Sequence, residues 1–216
     1  MRKETISADN TMNIFKKIRV HNAGNPKGFF GRQTLRRMNE EHSELTNLGF
    51  SFLDIPLEAT CLDIGCGGGR TVHKLARFAP KGKVYGVDIS DTSVKATKRF
   101  NRKDIKKGLV EVMNANVLKL PFERNTFDIV TAVETFYFWQ DKEGAVKSVY
   151  DVMKKGGTFI IMLDAYEDGT DDAKDIVEEI NLELNTPEQL EKWLTNAGFT
   201  AKVITKGKRI FAIGTK

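Results

Sequence analysis

The chain has little cysteine, little proline and no long apolar run, and each shortage excludes something. Two cysteines, Cys61 and Cys66, are too few for a disulfide scaffold among 216 residues and point to a reducing compartment. A pair spaced C-x4-C with no neighbouring His or Cys set is also poor ligand spacing, so no metal site is expected. No window approaches the ~18 unbroken apolar residues of a membrane span. The opening MRKETISADNTMNIFKK lacks the apolar stretch of a signal peptide, so a cytoplasmic location is expected. With five prolines, no Pro- or Ser-rich linker and no internal repeat, domain boundaries are soft. What is present is 40% hydrophobic, 29% charged and 9% aromatic, which excludes a wholly disordered or collagen-like chain.

The net charge of +5 is unevenly placed. Residues 1–40 hold 9 Lys/Arg against 3 Asp/Glu, and the remainder is nearly balanced with 25 against 26. Residues 164–191 are strongly acidic, and a basic run extends from Lys95 to Lys107. A basic N-terminal segment invites a nucleic-acid reading. The plainer expectation for the run from Lys95 to Lys107 is a solvated helix face.

Residues 1–55 read as mostly helical: Leu35, Met38, His42, Leu45 and Leu48 recur at helical spacing after the turn signal Asn25-Pro26-Lys27-Gly28. From residue 58 short apolar runs alternate with amphipathic stretches. Strands are expected over 59–64, 83–89, 109–114, 126–133 and 158–163, with helices at 71–78, 91–106 and 142–153. Strands separated by helices of that length predict βαβ units and a parallel sheet covered on both faces. Thr186-Pro187-Glu188-Gln189 carries an N-cap, a proline at the first helical position and a capping-box glutamine. Beyond that helix, runs 200–205 and 209–213 are separated by three residues, so they pair antiparallel.

The strongest signal is Cys61-Leu62-Asp63-Ile64-Gly65-Cys66-Gly67-Gly68-Gly69-Arg70, between a predicted strand and a predicted helix. Glycines there let the chain turn sharply and let a ligand approach the backbone. The N–H groups of the following helix then face that ligand at the carboxyl end of the sheet. A dinucleotide fingerprint is broken, because Arg70 stands at its third glycine position and Asp63 is unsuited to a pyrophosphate. Asp88, at the end of the second strand and 19 residues past Gly69, can accept both hydroxyls of a ribose. A ribose beside an acid that favours a cation points to S-adenosylmethionine.

With those residues in order the chain resembles the class I S-adenosylmethionine-dependent methyltransferases, in particular the small-molecule group called type 11. LDIGCGGG (62–69), VYGVDIS (84–90), NANVLKLPF (114–122), FDIVTAVETFYFW (127–139) and MKKGGTFII (153–161) carry the likeness. The resemblance implies an α/β, Rossmann-like doubly wound fold. Its mostly parallel seven-stranded sheet would have a C-terminal antiparallel hairpin, with a helical extension at the N-terminus. The expected division is an N-terminal lid over 1–55 and the methyltransferase domain over 56–216.

Carried over by position, the resemblance implies that Asp63, Gly65 and Gly67, with Cys66 as a small residue among them, frame the methionine half of the cofactor. Asp88 would hold the ribose and Ile89 would pack on the adenine. Asn116 and Val117 would stand at the adenine edge, Asn116 replacing a customary aspartate while keeping an accepting oxygen. Val133 and Glu134 would lie beside the transferred methyl group. Candidate acceptor contacts are Phe29 and Arg32 in the lid, joined there by Phe30 and Met38, and Tyr137 and Trp139 after the fourth strand. Those aromatics are equally compatible with core packing. Glu134 more naturally accepts ligand or loop hydrogen bonds than acts as a base. His42 is expected packed and His73 at the surface; His21 has no assigned role. No catalytic residue is nominated, since methyl transfer from a sulfonium requires alignment more than a protein nucleophile.

The expected function is methylation of a small molecule, with S-adenosylhomocysteine as the product. A nucleic-acid methyltransferase is the main alternative; Val133-Glu134-Thr135-Phe136 lacks the D/N-P-P-Y/F element of base-amino methylases. A non-catalytic cofactor-binding protein is the third reading.

Overall fold

The computed structural model describes residues 28–169 and 183–216, apart from several side chains of the first helix. The extreme N-terminal basic residues, His21 and the middle of the acidic stretch lie outside the described residues. Two helices, α1 (Gly28–Glu41) and α2 (Ser43–Phe50), come first. The sheet is built from β1 (Thr60–Ile64), β2 (Lys83–Asp88), β3 (Val110–Asn114), β4 (Phe127–Val133), β5 (Met153–Leu163), β6 (Thr200–Lys206) and β7 (Arg209–Thr215). Helices α3 (Arg70–Phe78), α4 (Asp91–Phe100), the short α5 (Arg102–Lys106), α6 (Lys142–Val152) and α7 (Pro187–Ala197) connect them.

Strand order is β3-β2-β1-β4-β5-β7-β6, and β7 runs antiparallel to both its neighbours. The other pairings are parallel, so the expected Rossmann-like sheet with a terminal hairpin is present. Period-two alternation along the strands feeds two cores. Leu62, Val130, Phe159 and Ile161 face α6 and α7 through Val146, Val149, Leu190 and Leu194. Cys61, Val84, Ile129 and Ile160 face α2, α3 and α4 through Leu45, Phe50, Val72, Leu75 and Val94. A fully buried large apolar side chain stabilises by roughly 1.5–3 kcal/mol, against ~0–1 kcal/mol for an exposed ion pair. These two layers therefore hold the sheet, and surface charge contributes little.

Local signals explain the ends of the elements. The Thr186 hydroxyl accepts from Gln189 N and the Gln189 side chain accepts from Thr186 N, closing the capping box of α7. Gly198 ends that helix in a left-handed conformation, φ 108°. The expected helix over 91–106 is broken at Asn101, whose buried amide turns inward to donate to Gly69 O and Thr97 O. β5 begins five residues before the predicted 158, because Met153 already pairs with Phe127 ahead of an irregularity in the register. The basic side chains from Lys95 to Lys107 stand on exposed faces of α4 and α5, as the solvated reading expected.

Candidate functional site

The order reverses between β1 and β4, so the chains leaving these two neighbours depart to opposite faces and open a crevice. The glycine loop leaves β1 there. Gly65 N and Cys66 N both donate to Val87 O, at 2.8 and 3.0 Å, which ties the turn to β2. Gly65 sits at φ 70°, a region an L side chain rarely adopts. Three side chains clamp the loop from outside. Thr97 Oγ1 donates to Gly67 O at 2.9 Å and Asn101 Nδ2 to Gly69 O at 3.0 Å, both from the α4 side. Asn39 of α1 donates through Nδ2 to Gly68 O at 3.0 Å.

Asp88 closes the other side. Its Oδ2 accepts from Gly67 N at 3.0 Å and its Oδ1 from Ser90 N at 2.8 Å. Burial pushes its carboxyl above the usual carboxylate range, while these two N–H donors act against that shift. The Ser93 hydroxyl stands beside Asp88, buried and outside ordinary hydrogen-bond geometry, where a ligand hydroxyl can meet it.

Between loop and strand ends lies a cavity of about 250 Å³. Gly65, Gly67, Asp88 and Ser93 form one wall. Ile89, Asn116, Val117 and Leu118 form a second, with Ile89 53% exposed at its rim. Val133, Glu134, Thr135, Phe138 and Trp139 form the third, and Leu35 of α1 reaches in from above. Eight of the ten residues expected at the cofactor, from Gly65 through Glu134, thus line one cavity, and Trp139 lines it with them. Asn116 Oδ1 already accepts from Leu118 N at 2.9 Å, so a ligand amine would share that oxygen.

The structure does not bring the rest to the cavity. Asp63 is buried on the face of β1 that carries Cys61, where its Oδ1 accepts from Thr131 Oγ1 at 2.7 Å. Burial first, and the nearby Asp88 charge second, push this carboxyl up to about 7 against the pull of Thr131. It does not line the cavity. Cys66 turns its side chain toward Gly86 and lines a smaller neighbouring recess of about 50 Å³. Burial holds its thiol well above the ordinary range and pushes Cys61 up to about 12. Tyr137 is also absent from the cavity wall: its hydroxyl accepts from Ala165 N at 3.1 Å and lies 3.3 Å from Glu134 Oε1. The side chains of Phe29, Phe30, Arg32 and Met38 lie outside the described residues.

Glu134 adopts φ 53°, uncommon for a residue with a side chain. Its Oε1 accepts from Asp164 N at 2.5 Å, and Oε2 lies 4.0 Å from His42 Nε2. Burial pushes its carboxyl up to about 7, with Asp164 contributing repulsion. Arg209 Nε in turn pairs with Asp164 Oδ1 at 2.8 Å and its NH2 group with Glu44 Oε2 at 3.0 Å. His42, Glu134 and Asp164 offer ligand atoms within 4.8 Å of one another, but Arg209 supplies a positive charge there. Glu134 can thus hold a proton near neutrality beside the cavity. His42 is half-buried against it, and His73 is 41% exposed beside Asp104, close to what the sequence suggested.

Sequence reasoning missed Leu35, Asn39, Ser93, Thr97, Asn101 and Thr135. Polar residues in helices carry no local mark of a target thirty residues away; the run of glycines was the one hint that something must approach closely.

Comparison with known proteins is consistent with this geometry. Residues 62–161 match a family model described as a methyltransferase domain. The sterol 24-C-methyltransferase of Saccharomyces cerevisiae is 31% identical over 151 residues, 66% of this chain and 39% of that protein. The demethylmenaquinone methyltransferase of Symbiobacterium thermophilum is 36% identical over 102 residues, 47% of this chain and 41% of that protein. The chain spans less than half the length of these relatives. Among solved structures, a SAM dependent methyltransferase from Aquifex aeolicus superposes with a TM-score of 0.67 at 21% identity, covering 85% of this chain and 97% of the other. The geranyl diphosphate C-methyltransferase of Streptomyces coelicolor gives 0.70 at 12% identity, covering 90% and 87%. At such identities the likeness is one of fold.

Proposed function

We propose, from the premise that residues 62–161 are a class I methyltransferase domain of the type 11 family, that this protein methylates a small organic acceptor at the expense of S-adenosylmethionine. The observation that carries the reading is the convergence of the glycine loop, Asp88 and the β4 end on one cavity. Its chemistry suits the cofactor: a backbone cradle for the amino-acid part, an acid for ribose hydroxyls, and the Ser93 hydroxyl beside that acid.

In this reading Gly65 and Gly67 receive the methionine half, and Asp88 turns its remaining lone pairs to the ribose. Ile89 packs against one adenine face, with Asn116 and Val117 at its edge. When bound, the cofactor supplies an electrophilic methyl group and a neutral leaving group. The protein's task is then to align the acceptor behind that methyl and keep water out, which can lower the barrier by about 7–11 kcal/mol. Val133, Glu134 and Thr135 stand where alignment is set, and Phe138, Trp139 and Leu35 offer an apolar bed for the acceptor. An acceptor with a sizeable apolar body, methylated at carbon as the name of the yeast sterol 24-C-methyltransferase indicates for that protein, fits this bed best.

In the same reading the segment before residue 56 acts as a lid, through α1 and α2 among its described residues, and 56–216 as the catalytic domain, supported by α1 lying against α4 over the loop. No helix among the described residues is long and apolar enough to cross a membrane, and two free, buried cysteines suit a reducing cytoplasm. The test is incubation of the protein with methyl-labelled cofactor and fractionated small-molecule, lipid and nucleic-acid extracts. Label entering the lipid-soluble fraction is expected; label entering only nucleic acid would overturn the acceptor class.

A further inference from the structure

We propose that Asn39 is a positioning residue for the glycine loop, through which docking of α1 and binding of the cofactor stabilise one another. Gly68 shows why. Its backbone conformation is open to any residue, so backbone freedom does not require glycine there. A Cβ on Gly68 would stand 2.5 Å from both polar atoms of the Asn39 amide, the nearest neighbours of that position. Gly68 is therefore the space into which Asn39 fits.

The amide uses both its groups. Nδ2 donates to Gly68 O at 3.0 Å, and Oδ1 accepts from Arg70 N at 3.3 Å. Arg70 opens α3, whose N-cap, Gly69, has no side chain to satisfy the first-turn donors. Asn39 serves as a cap supplied from another element, 31 residues earlier in sequence. Four residues before it, Leu35 is buried and lines the cavity, so one face of α1 holds the loop and walls the ligand together. A ligand seated on the loop then stabilises α1, and a docked α1 fixes the loop for the ligand.

This rests on reading the loop as the cofactor's seat, and the experiment separates the two. S-adenosylhomocysteine is titrated into the full chain and its Asn39→Ala, Gly68→Ala and doubly substituted forms, with Gln33→Ala on the exposed side of α1 as control. Affinity is expected to fall about tenfold in each of the first two, the scale of one lost hydrogen bond. The double substitution is expected to bind no worse than either single one, because the new methyl group finds its obstacle gone. Unchanged affinity in Asn39→Ala, or losses that multiply in the double form, would overturn the proposal. Amide exchange gives a second reading: ligand should slow exchange across α1 in the parent chain but not in Asn39→Ala. If the parent does not bind S-adenosylhomocysteine, the cofactor reading falls alone. Exchange at Arg70 still judges the clamp, faster in Asn39→Ala if it holds and equal if it does not.

Discussion

The Thr135 hydroxyl occupies the place where a Cβ on Gly65 would stand. Gly65 follows β1 and Thr135 follows β4, so this contact joins the two chains that diverge to open the crevice. It fixes how closely the glycine loop approaches the residues that face the acceptor, and the position is glycine for two separate reasons, the contact and φ 70°.

Replacing Gly65 by Ala is accordingly expected to cost more than the ~1–2 kcal/mol of a left-handed L residue alone. Binding of S-adenosylhomocysteine should weaken by at least tenfold. Calorimetric titration checks this, and adding Thr135→Gly should restore only part of the loss, because the backbone strain remains.

Asp88→Ala removes the acid expected at the ribose and frees Gly67 N and Ser90 N. Hydrogen bonds to a charged group are worth about 1.5–3 kcal/mol each. Affinity for the cofactor should fall on the order of 10- to 100-fold. The loss should be smaller for an analogue lacking both ribose hydroxyls, which feels only the loosened loop, and a direct titration compares the two.

Asp63 and Glu134 give a pH dependence of stability with a definite sign. Each carboxyl titrates near 7 when folded, against ordinary values of 3.8 and 4.5. Between about 4 and 7 the folded chain binds more protons than the unfolded one, so unfolding free energy falls as pH rises through that window and levels above it. The loss amounts to roughly a few kcal/mol. Urea melts of the parent and of Asp63→Asn at pH 5.5 and 8.0 test this, the variant being expected to show a smaller difference.

Both thiols should resist alkylation. Burial keeps Cys61 and Cys66 protonated at pH 8, and the thiolate is the reactive form. Mass spectrometry after iodoacetamide should find neither modified in the native protein and both modified in denaturant.

The central sheet was legible because its signals are local. Alternating apolar runs, the capping box at Thr186 and the glycine-rich turn after β1 each declare themselves within a few residues. Gly65, Asp88 and Ile89 follow from that order, since the ends of adjacent parallel strands lie together. Asp63 is not in the cavity wall, since proximity in sequence to the loop says nothing of which face of β1 carries the side chain. Tyr137 was drawn to the site by its aromatic neighbours, yet its hydroxyl is held by Ala165 after β5. Asn39, Thr97 and Asn101 act across about thirty residues, and nothing in a polar helical position marks such a partner. The left-handed Glu134 is likewise set by tertiary contacts, its Oε1 hydrogen-bonded from Asp164 N.

The most direct measurement is isothermal titration of the purified chain with S-adenosylmethionine and S-adenosylhomocysteine, alongside NAD and ATP. Micromolar or tighter binding of the first two, with no heat from the others, is the predicted result. Binding of NAD or ATP in their place would contradict the account.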